Sequence, residues 1–202
     1  MTIIPLFPNL IHGIEIKDFG KIRDNLIDFV YEQENNDPLG VIVSNEGGWQ
    51  SRSNSHKDNI IADTIQNQLD SYFTNPDIFK SNFEVVLSGL WLNINREGNT
   101  NRLHAHPGAD LSGVFWIKVP PDCDAGKISF ASPHGYTDYI SYVIHQESVC
   151  KEFNFYDTYQ FSPREGTGLI FPGHLLHEVR PNMSRKDRIS VAFNLNIRSR
   201  SA

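Results

Sequence analysis

A mainly β fold with N-terminal helices is what the 202-residue sequence predicts. Two stretches in the first third place apolar residues at helical spacing. From about Phe83 onward, short alternating segments rich in Val, Ile, Phe and Trp are separated by turn residues, the pattern of an antiparallel β domain. No repeat, linker or low-complexity segment divides these regions. One domain over 1–202 is therefore expected, with a helical buttress over 1–80 set against a β core over 83–198.

The first helix is carried by Ile22, Leu26, Phe29 and Val30, with Asp18 as N-cap, and Asn35-Asn36-Asp37-Pro38 ends it. The second has one apolar face of Ile60, Ile61, Ile65, Leu69, Tyr72 and Phe73, stopped before Pro76. Between them, Gly47-Gly48-Trp49-Gln50-Ser51 is a loop whose Trp is either a buried anchor or the lining of a site entrance. Strands are expected at 84–96, 102–106, 112–119, 127–131, 168–172, 176–180 and 188–197, with turns at 97–100, 120–126 and 164–168. The stretch 138–161 has aromatics without a clean period and reads as an inserted hairpin or a mobile cover. The helices should buttress one β-barrel.

Composition narrows the function classes. An apolar fraction of 39% with 11% aromatic is ordinary for a folded chain and too rich for disorder. A formal charge of −6 argues against general nucleic-acid binding, which needs a basic surface, and Arg198-Ser199-Arg200 reads as a solvated tail. Cys123 and Cys150 form no CxxC and are expected as reduced thiols. The start Met1-Thr2-Ile3-Ile4-Pro5-Leu6-Phe7-Pro8 lacks the basic residues of a signal peptide, and no apolar run reaches the ~20 residues of a bilayer span. A cytoplasmic location without membrane partners follows by default.

The chemistry is concentrated in a few residues. His104 and His106 stand two apart on an expected strand, so both imidazoles point to one face. Pro107-Gly108 ends that strand and leaves the space open. Asp110, the nearest carboxylate, competes with His106 for the acidic place of a two-His-one-carboxylate triad. His177 follows an apolar strand and a Pro-Gly turn, which suits a jelly-roll ligand entering from the opposite sheet, whereas His174 sits in the turn and should be exposed. Arg188 and Ser190 share a face of the last strand and offer a fork and a hydroxyl to a carboxylate, while Ile189, Val191 and Phe193 point to the other, packed face. Three metal ligands from two strands plus an anchored Arg is how a non-haem iron site with a bound oxo-acid is built.

With these residues the chain resembles the iron(II)- and 2-oxoglutarate-dependent oxygenases, and more narrowly a subgroup from bacteria and their phages. The likeness rests on Pro5-Leu6-Phe7-Pro8, the Gly-Gly-Trp-Gln-Ser at 47–51, and His104-Ala105-His106-Pro107 leading to Leu111-Ser112-Gly113-Val114-Phe115-Trp116. The segment from Gly168 to His177 and Arg188-Ile189-Ser190-Val191-Ala192-Phe193-Asn194 complete it, so it runs over nearly the whole chain. It implies a double-stranded β-helix (jelly roll, cupin-like), iron(II) and 2-oxoglutarate as cofactors, and a dioxygenase that hydroxylates an unknown organic or macromolecular substrate. His104 and His177 would be iron ligands, and Arg188, assisted by Ser190, would bind the far carboxylate of 2-oxoglutarate.

His106 stands where most of the superfamily has an acidic residue. Either three His bind the metal, or Asp110 supplies the carboxylate, or metal is bound without hydroxylation. Asn93 and Asn95 are further candidates to contact the oxo-acid. Two other function classes stay open: a non-catalytic cupin-like metal-binding module, and a three-His dioxygenase that does not use 2-oxoglutarate. Arg188 discriminates, since only a 2-oxoglutarate site requires it. Of Trp49, Trp91 and Trp116, which could stack on something flat, two are expected in the core.

Overall fold

Period-two alternation along the longest strands organises the interior. A computed structural model describes residues 2–53, 59–121 and 125–200. The chain opens with β1 (His12–Glu15) and α1 (Phe19–Asn36). Asp18 occupies the N-cap position in a left-handed conformation, but its side chain makes no cap bond and instead pairs with Lys21 at 3.1 Å. Two short strands follow, β2 (Asn45–Glu46) and β3 (Trp49–Gln50), and then α2 (Ile60–Phe73). Here Asn59 caps the helix, its side-chain oxygen accepting from the Ile61 and Ala62 amides at 2.9 and 3.1 Å.

The β core comprises β4 (Phe83–Asn95), β5 (Thr100–His104), β6 (Leu111–Lys118) and β7 (Ile128–Ala131). After α3 (Gly135–Ile144) and α4 (Glu147–Phe153) come β8 (Thr158–Phe161), β9 (Thr167–Pro172), β10 (His177–Val179) and β11 (Arg188–Ser199). A six-stranded sheet runs β1-β9-β6-β11-β4-β3, and a five-stranded sheet runs β2-β5-β10-β7-β8. All the pairings are antiparallel, so this is the expected double-stranded β-helix.

The larger sheet separates two apolar clusters. Leu90, Leu92 and Ile94 of β4, Phe115 and Ile117 of β6, and Ile189, Val191, Phe193 and Leu195 of β11 face the helices. There they meet Leu26, Ile27 and Val30 of α1 and Ile61, Ile65 and Leu69 of α2. Burying one such side chain is worth roughly 1.5–3 kcal/mol, enough to dock helices that would be marginal alone. The alternate residues face inward. Val114, Trp116, Leu169 and Phe171 join Ile128, Phe130 and Leu175 in the second cluster. Other inward positions are polar and still buried, namely Asn93, Asn95, Arg188 and Ser190. A protein buries so many polar groups only where they have partners or a task.

Several elements differ from the sequence expectation. Among the described residues of the first 80 there are three strands besides the two helices. The strand expected at 102–106 begins at Thr100 and ends at His104, although the His106 amide still donates to the Gly173 carbonyl at 2.8 Å. The stretch 138–161 holds most of α3, all of α4 and β8, so it is a helical connection to an edge strand rather than a hairpin. In α3 no residue is buried, whereas Cys150 of α4 is buried and free. Cys123 and part of the turn at 120–126 lie outside the described residues. Among the described residues no helix is long and apolar enough to cross a membrane.

Candidate active site

His104 and His177 are directly paired across the β5–β10 ladder, so both belong to the smaller sheet. The expectation that His177 enters from the sheet opposite its partner is therefore corrected: β9 lies in the larger sheet, and the turn after it carries the chain across to β10. The two rings stand 4.4 Å apart between centroids, and His106 lies 5.1 Å from each. One ligand atom from each of the three lies within 4.8 Å of the others.

Each imidazole is oriented from behind. His104 Nδ1 lies 2.6 Å from the Arg102 carbonyl, His177 Nδ1 2.9 Å from the Leu175 carbonyl, and His106 Nδ1 2.7 Å from Asn194 Oδ1. A carbonyl oxygen only accepts, so Nδ1 carries the proton and Nε2 keeps the lone pair a metal takes. His106 Nε2 is buried and has no hydrogen-bond partner among the described residues. Burial pushes all three imidazoles below their ordinary pKa, His177 to about 3, which holds them neutral at pH 7. Three neutral, convergent, oriented nitrogens fit a divalent metal of the iron or zinc class.

Asp110 is not part of this group. It is exposed, and its Oδ2 accepts from the Ile197 amide at 2.8 Å. His174 is exposed, as its place in the turn suggests.

The opposite wall of the same pocket carries Asn93, Arg188 and Ser190. Arg188 is 1% exposed. Its Nη1 donates to Asn95 Oδ1 at 3.2 Å, its Nε has no partner, and no acidic side chain pairs with it among the described residues. Burial lowers the guanidinium to about 10, still cationic at neutral pH. An uncompensated buried charge costs several kcal/mol, so this one calls for an anion. Ser190 pairs with Asn93 and Arg188 with Asn95 in the β4–β11 register. Asn93 Oδ1 is likewise buried without a partner, and a short amide chain, Asn95 to Asn101 to Ser44, braces the Arg188 side at 3.3 and 3.2 Å.

Trp49 and Trp116 are buried, and Trp49 Nε1 donates to the Asp37 carbonyl at 2.8 Å, which makes it the anchor of its loop. Trp91 lines the pocket and stacks on His106 with centroids 5.4 Å apart. Sequence reasoning assigned no role to Asn194, Ser112, Asn101 or Ser44. A signal for Asn194 was present, since 188, 190, 192 and 194 share one strand face.

The family described as "Putative 2OG-Fe(II) oxygenase" matches residues 89–194, more than half of the chain and a span that includes Asn93, His104, His106, His177, Arg188 and Ser190. The chain belongs to this family. It is a 2-oxoglutarate-dependent iron(II) oxygenase, so of the three function classes open from sequence this is the one borne out, with iron(II) and 2-oxoglutarate as cofactors. No protein of curated function matches it in sequence.

Solved structures agree in fold. A prolyl-4-hydroxylase of Pseudomonas putida superposes with a TM-score of 0.61 at 13% identity, covering 95% of this chain and 93% of that one. A prolyl hydroxylase of Trichoplax adhaerens, solved with a hypoxia inducible factor peptide fragment, gives 0.62 at 10% identity over 92% and 82%. HygX of Streptomyces hygroscopicus, solved with nickel and 2-oxoglutarate bound, gives 0.58 at 11% identity over 92% and 82%.

Proposed function

We propose that this oxygenase holds its iron(II) with His104, His106 and His177, and its 2-oxoglutarate with Arg188, Ser190 and Asn93. The observation that carries this assignment is a buried guanidinium, with no acidic partner among the described residues, facing three convergent imidazoles across one pocket. Arg188 Nε can donate to the far carboxylate, and Ser190, on the same strand face, adds a hydroxyl donor. Asn93 is a further polar contact for the cosubstrate. When bound, the metal and cosubstrate supply dioxygen activation, converting 2-oxoglutarate to succinate and carbon dioxide while a substrate C–H bond is oxidised.

The chain's own part is binding, orientation and exclusion of water. The carbonyls of Arg102 and Leu175 keep the Nδ1 protons of His104 and His177 away from the metal side. Phe130 and Phe171 pack against His177 and keep its surroundings apolar. Three neutral imidazoles leave the iron one positive charge higher than a carboxylate ligand would. Asp110 is already engaged by the β11 backbone, which favours the all-His set.

The shared apolar cluster of helices and larger sheet supports a single domain. The free Cys150 thiol supports a reducing, cytoplasmic setting, and the charge of −6 supports a substrate other than a long nucleic acid.

Iron-dependent succinate formation tests the assignment. His104→Ala should lose it, and Arg188→Met should keep iron binding but need much more 2-oxoglutarate. Wild-type turnover in either variant contradicts it.

A further inference from the structure

We infer that Asn194 is the positioning residue for His106, setting the orientation and tautomer in which that ring meets the metal. The inference rests on His106 being a ligand, as proposed above. His104 and His177 are each oriented by the backbone carbonyl two residues earlier in their own chain segment. His106, just past the end of β5, has no such partner at its Nδ1. Its Nδ1 is met by the side chain of Asn194, which reaches across from β11 of the other sheet.

That amide oxygen has a second contact. Asn194 Oδ1 accepts from Ser112 Oγ at 2.9 Å as well as from His106 Nδ1 at 2.7 Å. Ser112 is fully buried and stands opposite Asn194 in the β6–β11 register. Turning the amide over would present its NH2 to His106 and force the ring proton onto Nε2. That N–H would then be buried without an acceptor, because Nε2 has no partner among the described residues. The arrangement with a lone pair on Nε2 is the one that a metal satisfies.

Two residues thus hold the ring. Trp91 stacks on its face at 5.4 Å and sets its plane, and Asn194 sets its rotation within that plane. Because the acceptor is a neutral amide, His106 stays an ordinary neutral donor. A carboxylate in its place would make the imidazole a stronger one.

Cobalt(II), added to the metal-free full chain, tests this through its dissociation constant and visible ligand-field spectrum, with far-UV circular dichroism and urea midpoint as controls for folding. Asn194→Ala should weaken cobalt binding about 10- to 100-fold and alter the spectrum, and Asn194→Asp should restore wild-type affinity or exceed it. Wild-type affinity and spectrum in folded Asn194→Ala, or an Asp variant as weak as the Ala variant, overturns the inference. Should Asn194→Ala not fold, Ser112→Ala must weaken cobalt binding, and an unchanged constant overturns the inference. His106→Ala separates the two levels. If it binds cobalt as the wild type does, the ligand set itself fails and the positioning role with it. If it loses cobalt while Asn194→Ala does not, the positioning role alone fails.

Discussion

His177 faces His104 directly across the β5–β10 ladder, ring centroids 4.4 Å apart, so the register of one antiparallel pair brings together two of the three proposed metal ligands. Register is what makes this robust. A one-residue slip of either strand would turn its imidazole to the other face of the sheet. The third ring comes from the extended segment after β5, and Arg188, proposed to bind the cosubstrate carboxylate, begins the strand that runs through the middle of the larger sheet.

Removing a ligand should remove the metal. His104→Ala and His177→Ala are each expected to weaken iron(II) binding by at least about 100-fold, the upper end for removing even a supporting group. Anaerobic equilibrium dialysis reads this directly. Iron retained at wild-type affinity in either variant contradicts the ligand set.

Arg188→Met should act in opposite directions on stability and on function. Without cosubstrate, it replaces an unpaired buried cation by an apolar chain of similar length, and the urea midpoint should rise, by about 1–4 kcal/mol in free energy. With cosubstrate, the loss of charge-assisted hydrogen bonds worth about 1.5–3 kcal/mol should raise the 2-oxoglutarate concentration for half-maximal turnover roughly 10- to 150-fold. A variant destabilised by the change, with an unaltered 2-oxoglutarate requirement, would show that Arg188 is structural.

Acid should destabilise the metal-free protein. Burial holds the folded pKa of His177 at about 3, below the ordinary 6.5 of the unfolded chain. The unfolded state therefore takes up the proton first, and the stability from a neutral His177 is fully present above pH 6.5 and lost as pH falls toward 3. By pH 5 that loss is about 2 kcal/mol for this one group, and His104 and His106 shift the same way. Urea unfolding of the metal-free protein at pH 7.5 and pH 5 measures it. In His177→Leu the same pH step should cost less, and an equal loss in both proteins contradicts the assignment to this imidazole.

Gly113 leaves room for the core beside the pocket. A Cβ there would lie 2.3 Å from Phe193 Cζ and 2.9 Å from the Leu169 carbonyl. Phe193 is itself fully buried between sheet and helices. Gly113→Ala is expected to cost about 1–3 kcal/mol of stability through overpacking, read as a lower urea midpoint with little change in slope. An unchanged midpoint would mean that Phe193 has space to turn away.

Much of this site was legible because strands write their faces into the sequence with period two. The pairs His104/His106 and Arg188/Ser190, and the apolar Ile189, Val191 and Phe193 between and beyond the latter, were readable on that rule. All of these except the half-buried His104 are buried in the structure. Less legible was whatever depends on tertiary register. That His177 pairs with His104 in one sheet is set by the crossing after β9, which no local pattern encodes. Asp110 was the plausible acidic candidate by distance along the chain, yet the Ile197 amide engages it on the outside. Nothing local to Asn194 shows that its side-chain oxygen meets both Ser112 and His106, because those contacts come from other strands. The stretch 138–161 was unreadable because α3 buries none of its residues, so no apolar period was imposed on it.

The most direct measurement is anaerobic addition of iron(II) and then 2-oxoglutarate, watched for the weak visible charge-transfer band of a keto-acid bound to iron(II). The band should need both components, vanish in His177→Ala, and require far more 2-oxoglutarate in Arg188→Met. Iron bound without any band in the wild type, or a wild-type band in His177→Ala, would contradict the assignment of this pocket.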